Sequence, residues 1–137
     1  MRYFISCVSK DHVVAGVEGG YLQSKDAAPL KRMEPGDLVL FYSEGTRFRA
    51  GEWLQAFTAV GRVADRATSQ VTVTPVFNPW RRRMEFIRAD EASIVPLAET
   101  LSFVTDKAAL TMPAKRGLFE IGREDFLIVA AAMKAAL

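Results

Sequence analysis

The fold is decided by residues 33–65, MEPGDLVLFYSEGTRFRAGEWLQAFTAVGRVAD, in which two apolar runs are joined by a polar segment. The first run, residues 37–43, follows a Pro-Gly turn and is nearly continuous in apolar residues. The second run, residues 53–63, is mostly apolar and contains Gly61. Runs of this kind are typical of strands buried on both faces. We therefore expect them at the centre of a closed or strongly curved sheet, with Gly61 at a bulge or sharp bend.

The flanking sequence adds further elements to this sheet. Alternating or apolar patterns predict strands over residues 3–9, 70–77 and 81–88, and a short strand or loop over 117–121. Helical patterns cover residues 10–16 and 123–136, with helical turns after Pro96 and over 107–112. Residues 21–30 are predicted to form an irregular loop. This order predicts one α+β domain spanning residues 1–137, a mixed β-barrel with helices packed around its ends.

The composition limits the classes of function. The chain has 137 residues, of which 50% are hydrophobic and 25% charged, as in an ordinary soluble domain. No apolar run approaches the length of a membrane span, and the first residues do not resemble a signal peptide. A single cysteine excludes an internal disulfide and indicates a cytoplasmic protein. The net charge of +2 does not by itself indicate nucleic-acid binding.

Residues suited to metal binding or catalysis are scarce. Cys7 and His12 are the only residues of their types, too few for a zinc site, and no carboxylate cluster indicates another metal. They could be imagined as a nucleophile and its base, but Cys7 lies within a predicted strand and is expected to be structural. Gly19 and Gly20 follow a helix instead of preceding one, unlike a phosphate-binding loop. We expect no catalytic residue, no metal and no cofactor.

The most suggestive cluster is Trp80-Arg81-Arg82-Arg83, which follows Asn78-Pro79. A tryptophan beside consecutive arginines can stack on a nucleobase while the guanidinium groups bind its phosphate. The alternative is a tryptophan at the barrel rim that is covered by arginine stems. The sequence leaves these two interpretations open.

Two other segments carry aromatic and amide side chains together. Tyr21 and Gln23 lie in Gly20-Tyr21-Leu22-Gln23, where an aromatic ring could stack on a base and an amide could read its edge. Trp53, Gln55 and Phe57 are predicted to share one face of the second central strand, although Phe57 also fits the core. Basic residues recur at Lys31-Arg32, Arg47/Arg49 and Lys115-Arg116, and such scattered pairs are usually solvated.

Motifs along nearly the whole chain match one known family in its order. They are Tyr3-Phe4-Ile5, Asp11-His12-Val13, Gly16-Val17, Gly19-Gly20-Tyr21 with Gln23, Pro29-Leu30, Arg32-Met33, Pro35-Gly36-Asp37, Tyr42-Ser43, residues 54–61 (LQAFTAVG), Pro79-Trp80-Arg81-Arg82, Pro96-Leu97, residues 117–121 (GLFEI), Asp125-Phe126 and Met133. By these motifs the chain resembles the EVE domain family of the PUA-like superfamily, to which the YTH and ASCH domains are related. The resemblance implies a PUA-like mixed, curved β-barrel.

The resemblance also implies a task, which is to hold a modified or flipped-out nucleobase. YTH relatives capture methylated adenine in an aromatic cage, and EVE domains look like readers of modified cytosine or another altered base in DNA or RNA. Tyr21 falls near a cage aromatic of the YTH relatives. The residues expected to bind or surround the ligand are Tyr21, Gln23, Trp80, Arg81, Arg82, Ser6, Lys10, Tyr42, Ser43, Gln55 and Phe57. The chain is expected to be a monomer or weak homodimer that does not contact membranes.

Two departures from the family's pattern affect the rim of this pocket. The segment after Gln23 is short and lacks the family's histidine, and Asp106-Lys107 is not followed by the usual tryptophan and glycine. Ligand identity therefore does not carry over from the family. The alternative function is a sensor or carrier of a free nucleobase or nucleoside that uses the same pocket. A basic track leading from the pocket would favour a polymer, whereas a neutral mouth would favour the free ligand.

Overall fold

The computed structural model describes residues 1–47, 50–113 and 117–137. The strands within these ranges are β1 (Tyr3–Cys7), β2 (Tyr21–Ser24), β3 (Leu38–Arg47), β4 (Ala50–Gln70), β5 (Trp80–Ile87), β6 (Ala92–Ser93) and β7 (Gly117–Ile121). The helices are α1 (Lys10–Gly19), α2 (Ala27–Lys31) and α3 (Arg123–Ala132), with a 3-10 turn at Val95–Leu97.

The strands form one strongly curled mixed sheet. Its order is β2-β5-β4-β3-β1-β7, with β6 paired to Ala56 and Phe57 of β4. β1 and β3 are parallel, with Ile5 beside Leu40, and the other neighbouring strands are antiparallel. The parallel pair requires a crossover, which α1, β2 and α2 provide. The predicted α+β curved barrel is confirmed.

The alternation of side chains along the central strands produces two apolar cores. One core contains Ile5, Leu40 and Phe57, which pack with Phe126 and Met133 from the region of α3. The other core lies on the opposite face of the same strands and also includes residues of β2, β5, α1 and α2. Its buried members are Phe4, Val39, Phe41, Val13, Leu22, Leu30, Met33, Ala59, Val63 and Met84. Because side chains on both faces of β1 and β3 are buried in one core or the other, these strands are apolar along their length instead of alternating with polar residues.

A bulge changes the expected arrangement of the second central strand. Gln55 has φ 49°, and the pairing of β3 with β4 is irregular between Ser43 and Gly45. Because an extra residue reverses the alternation of a strand, Trp53 and Phe57 do not share an environment. Trp53 is 77% exposed, whereas Phe57 is fully buried. The prediction that these two aromatics alternate onto one face is wrong.

Gly61 does not mark a bulge. It pairs regularly with Val39 on one side and Phe86 on the other. A Cβ at this position would lie 2.9 Å from Met84 Cε, so the glycine makes room for the packing of Met84 and Phe86. The irregularity between β4 and β5 lies further on, between Val63 and Thr68.

Several predicted boundaries differ from the structure for identifiable reasons. The predicted loop 21–30 contains β2, which depends on pairing with β5, and α2, whose first turn accommodates Pro29. The predicted strand 70–77 is instead a turn closed by a bridge between Thr74 and Phe77, since Pro75 lacks a backbone donor. Residues 107–112 form a turn bridged by Asp106 and Thr111, and not a helical turn. The C-terminal helix ends at Ala132.

The helices of the described part of the chain are all short. None of them is long and apolar enough to cross a membrane.

Candidate functional site

A large cleft of about 1040 Å³ opens where β1 and β2 end and where β3 turns into β4. Its walls are completed by the turn between β4 and β5 and by the start of β7. We refer to this site, lined among others by Ser6, Gln23, Tyr42, Trp53 and Phe77, as the large cleft. Its volume lies at the upper end of the usual range for small-molecule sites.

The floor of the large cleft carries the hydroxyl groups of two buried residues. Ser6 and Tyr42 are each 3% exposed, and the Tyr42 ring packs edge-on against Phe57 with centroids 5.3 Å apart. Among the described residues, neither hydroxyl has a hydrogen-bond partner. Burial, reinforced by the charge of Glu44, raises the pKa of Tyr42. Tyr42 therefore remains a neutral donor and acceptor that can serve a ligand.

Cys7 also lines the cleft, but its thiol is unsuited to nucleophilic chemistry. Burial, with a smaller contribution from Glu44, raises the pKa of Cys7 from 9.0 to about 12. Because the thiolate is the reactive form, a neutral thiol is poorly reactive at physiological pH. This fits the expectation of a structural cysteine. His12 is among the lining residues, and the raised thiol pKa argues against its use as a base toward Cys7.

Two exposed aromatic rings stand at the mouth of the large cleft. Trp53 is 77% exposed and Phe77 is 42% exposed. Neither was predicted as a site residue. The bulge at Gln55 brings Trp53 outward, and the turn before β5 brings Phe77 to the cleft. The one feature of the sequence that could have indicated their exposure is that each aromatic residue lies beside a polar or proline-containing turn.

The charges of the described residues around this cleft do not favour an anion. Among the described lining residues, the cations are Lys25 and Arg47, while the carboxylates are Asp26, Glu44 and Glu52. Glu44 is close enough to raise the pKa of both Cys7 and Tyr42, so its negative potential reaches the floor. Such a potential favours neutral or amino-bearing groups over phosphate. Arg49, Lys115 and Arg116, which belong to predicted basic pairs, lie outside the described residues.

Gln23 connects the large cleft to the outer face of the sheet. Its Oε1 accepts a hydrogen bond of 2.9 Å from Arg81 Nε. The Arg81 guanidinium lies 3.8 Å from the ring centroid of Tyr21. Tyr21 and Arg81 line a second, smaller cleft of about 410 Å³ on this face, which we call the outer cleft. The predicted Tyr21–Gln23 motif is therefore divided between two adjacent sites.

Arg82 is not available to a phosphate. It is 1% exposed, and its Nη1 donates to the carbonyl oxygens of Leu30 and Met33, each at 2.7 Å. Its Nε and Nη2 both donate to the carbonyl of Asp65, at 2.9 and 2.5 Å. Burial lowers the pKa of Arg82, while Asp65 opposes that shift. The expectation of a ligand contact is wrong for this residue, because its donors close α2 against the irregular part of β4.

Trp80 and Lys10 also lie elsewhere than expected for residues that bind or surround the ligand. Trp80 is half-buried against the second core, and the Lys31 ammonium lies 5.5 Å from its ring centroid. This agrees with the alternative of a tryptophan at the barrel rim, except that the side chain covering its ring is Lys31 and not an arginine. Lys10 Nζ pairs with Glu91 Oε1 at 2.8 Å. Neither residue lines either cleft.

The remaining predicted residues support the wall of the large cleft from behind. Ser43 is buried and its Oγ shares a 2.8 Å hydrogen bond with Thr58 Oγ1. Phe57 belongs to the first core, and the carbonyl of Gln55 accepts from Ile94 N at 3.0 Å. These three residues line neither cleft. Of the eleven predicted residues, the structure brings only Ser6, Gln23 and Tyr42 to the large cleft.

Metal-ligating side chains are dispersed. Within residues 1–47, 50–113 and 117–137, no three His, Cys, Asp or Glu residues are grouped so that they could hold a metal ion.

Comparison with known proteins shows relatives along the full length of the fold. The model of the EVE domain family matches residues 2–132. A UPF0310 protein of Mycolicibacterium vanbaalenii is 42% identical over 135 residues, covering 97% of this chain and 93% of its own. The UPF0310 protein YdcG of Bacillus subtilis is 33% identical over 134 residues, covering 96% of this chain and 92% of its own.

Solved structures share the fold at low sequence identity. A protein of Agrobacterium tumefaciens has a TM-score of 0.59 at 12% identity, with 96% of this chain and 92% of that chain covered. A protein of Rhodopseudomonas palustris has a TM-score of 0.58 at 13% identity, with 98% and 94% covered. At such identities these similarities extend to the architecture alone.

Proposed function

This chain belongs to the EVE domain family, and from that premise we propose that its large cleft binds a modified nucleobase of DNA or RNA without altering it chemically. The fold is consistent with a binding module. The single observation that carries the proposal is the grouping of exposed Trp53 and Phe77 with the Gln23 amide and the Ser6 and Tyr42 hydroxyls in one cleft.

This grouping meets the energetic needs of a binding site for a single base. Removing a base from its stack costs a few kcal/mol, which the site must return. Stacking on one aromatic ring returns about 1–3 kcal/mol, and Trp53 is exposed enough to provide such a contact. Hydrogen bonds from the floor then select the base edge, since Ser6 and Tyr42 have no partner among the described residues. In this proposal, stacking on the aromatic rings supplies most of the affinity, and hydrogen bonds from the floor of the cleft supply the selectivity between bases.

The negative potential of Glu44 narrows the class of base. A carboxylate accepts a hydrogen bond from an exocyclic amino group, as acidic side chains do with cytosine N4. Glu44 is exposed at the cleft and acts electrostatically on its floor. We therefore expect the amino-bearing bases cytosine, adenine and guanine to bind more tightly than uracil or thymine. A methyl group adds only about 0.8 kcal/mol by burial, so selectivity for it requires a close fit.

A free nucleobase or nucleoside is the second candidate ligand. The observation in its favour is the charge of the described lining residues, since two cations and three carboxylates among them offer no surplus for a phosphate backbone. The two candidates differ in what surrounds the base. A polymer reader gains affinity when the nucleoside is extended to an oligonucleotide, whereas a carrier of free ligand does not.

The test is calorimetric titration of the protein with cytidine, adenosine and uridine, with and without base methylation, and with short oligonucleotides containing them. Phe77→Ala is expected to weaken binding about tenfold, because one stacking contact is lost. Val76→Ala is the matched control, since Val76 is an exposed apolar residue of the same turn that does not line the cleft. Absence of binding to every nucleoside and oligonucleotide at low salt, or equal effects of the two variants, contradicts the proposal.

A further inference from the structure

The outer cleft is basic, unlike the large cleft. It lies over β2, β5 and β4 and is lined by Arg81 and Arg83, with Tyr21, Ser69 and the Gly19–Gly20 segment around them. Its described lining contains no carboxylate. We propose that the outer cleft binds a phosphodiester group of the nucleic-acid strand whose base enters the large cleft.

Arg81 is held in an orientation that suits this role. Its guanidinium carbon lies 3.8 Å from the ring centroid of Tyr21, and its Nε donates to Gln23 Oε1 at 2.9 Å. No hydrogen bond to another described residue uses its two terminal nitrogens. A planar guanidinium with both terminal nitrogens open binds phosphate through two parallel hydrogen bonds. Since Arg81 is already ordered, little side-chain entropy opposes the contact.

Arg83 adds a second positive charge on the same face. It stands opposite Tyr21 in the pairing of β2 with β5, two residues along the strand from Arg81. Its side chain is 78% exposed, and its only ion pair among the described residues is to Asp65 at 3.7 Å. Exposed pairs at such distances contribute little, so an anion can displace Asp65. The carbonyl end of α1 disfavours an anion nearby, but its partial charge is smaller than two full guanidinium charges.

The choice of a nucleic-acid strand as the source of the phosphate rests on the proposed function of the large cleft. Gln23 lines the large cleft and is bonded to Arg81 of the outer cleft. Tyr21 and Gln23 are two residues apart on one strand, a separation of about 7 Å. One ligand can therefore place a base in the large cleft and an adjacent phosphate in the outer cleft. A nucleoside lacks the second group, which makes the two sites separable by experiment.

The experiment measures the affinity of a short single-stranded oligonucleotide, bearing the preferred base, at 50–200 mM salt. The variants are Arg83→Gln alone and with Arg81→Gln. Arg123→Gln, at an exposed position at the start of α3, is the matched control. Each lost phosphate contact reduces the slope of log affinity against log salt by about 0.7. We expect a reduction of about 0.7 in the single variant and about 1.4 in the double variant, with no change in the control.

Nucleoside and inorganic phosphate titrations distinguish the alternatives. Nucleoside affinity unchanged by Arg83→Gln, together with a reduced oligonucleotide salt slope, supports the outer cleft as a backbone site. An unchanged salt slope overturns it. Inorganic phosphate bound at micromolar concentration and lost in Arg83→Gln, without oligonucleotide binding, assigns the cleft to a free anion and also overturns it. If Phe77→Ala leaves oligonucleotide affinity unchanged while the arginine variants reduce the slope, the proposed function of the large cleft fails alone.

Discussion

Arg81 and Arg82 are neighbours on β5, yet the two faces of that strand use them in opposite ways. On the inner face, Arg82 is 1% exposed and all its hydrogen bonds go to backbone carbonyls. On the outer face, Arg81 donates to Gln23, its one hydrogen-bond partner among the described residues, and lies over Tyr21 beside an open cleft. The same residue type therefore stabilises the fold on one face and leaves its charge at an open cleft on the other.

The same contrast occurs in β4 with aromatic residues. Phe57 is fully buried between strands and α3, and Trp53 is 77% exposed at the mouth of the large cleft. The bulge at Gln55 separates the two environments. In both strands, the face on which a side chain stands decides its role more than its chemical type. Four measurements would break or sharpen this contrast.

The largest effect is expected from replacing the inner arginine. Arg82→Met leaves the carbonyls of Leu30, Met33 and Asp65 without this donor, and should lower the free energy of unfolding by about 3–5 kcal/mol. Arg83→Gln, on the outer face, should change it by less than about 0.5 kcal/mol. Urea unfolding followed by circular dichroism measures both. Equal losses in the two variants would remove the distinction between the faces.

The second effect concerns the aromatic residues. Trp53→Ala should weaken nucleoside binding by about tenfold, through the loss of one stacking surface, and leave the unfolding free energy nearly unchanged. Phe57→Ala should lower the free energy of unfolding by about 3–5 kcal/mol, because it leaves a cavity in the core, and should change nucleoside binding much less. Titration calorimetry and urea unfolding on the same preparations separate the outcomes. A Trp53→Ala protein that binds normally would show that the exposed ring is not used.

The third effect is a dependence of stability on pH. The pKa of Cys7 is raised from 9.0 to about 12 in the folded protein, so above pH 9 the unfolded thiol releases its proton and the folded thiol keeps it. Stability is therefore retained below pH 9 and is lost as the pH rises toward 12. The free energy of unfolding should fall by about 1.4 kcal/mol between pH 7 and 10 through this group.

The matched control for this pH effect is Cys7→Ala. It is expected to be less stable at pH 7, because a buried side chain is shortened, but to lose about 1.4 kcal/mol less than the parent between pH 7 and 10. Urea unfolding at both pH values provides the comparison. The raised pKa of Tyr42 adds a smaller loss of about 0.4 kcal/mol by pH 10, which both proteins share, so the difference between them still reports Cys7. Parallel pH profiles of the two proteins would contradict the assignment to the buried thiol.

The smallest effect is expected from the ring beneath Arg81. Tyr21→Leu removes the contact at 3.8 Å and should weaken oligonucleotide binding two- to fivefold, since an exposed cation–π pair contributes about 0.5–1 kcal/mol. Tyr21→Phe retains the ring and should bind like the parent. Fluorescence anisotropy at 50 mM salt has the precision required. Loss of binding in Tyr21→Phe would instead assign the contribution to the hydroxyl.

The central sheet was predictable because its information is local and periodic. The apolar runs that form β3 and the middle of β4, and the pattern of β5, mark buried strands without reference to the rest of the chain. The apolar face of α3 is equally local. β2 was missed since its four residues are stabilised by pairing with β5, a contact far away in sequence.

The candidate site was harder to predict, because its members are selected by burial and by one irregular backbone position. In the run Arg81-Arg82-Arg83, strand alternation predicts that the middle residue lies on the other face from its neighbours. It does not show which of the two faces is buried. Trp53 reaches the cleft because Gln55 adopts φ 49°. Nothing in the sequence indicates this left-handed conformation, since glutamine rarely adopts it. Gln23 was recognised as an amide beside the aromatic Tyr21 and again in a family motif, and Tyr42 belongs to a family motif; neither was found from periodicity.

The hydrogen bond between Gln23 and Arg81 has a thermodynamic consequence. A ligand group in the large cleft that donates to Gln23 Oε1 shares this acceptor with Arg81 Nε and changes how firmly Arg81 is held, whereas one that donates nothing to this oxygen leaves Arg81 fixed. Occupancy of either cleft then alters the affinity of the other, and by linkage the factor is the same in both directions. Titrating a nucleoside in the presence and absence of an abasic oligonucleotide gives this coupling free energy, and Gln23→Leu should bring it to zero.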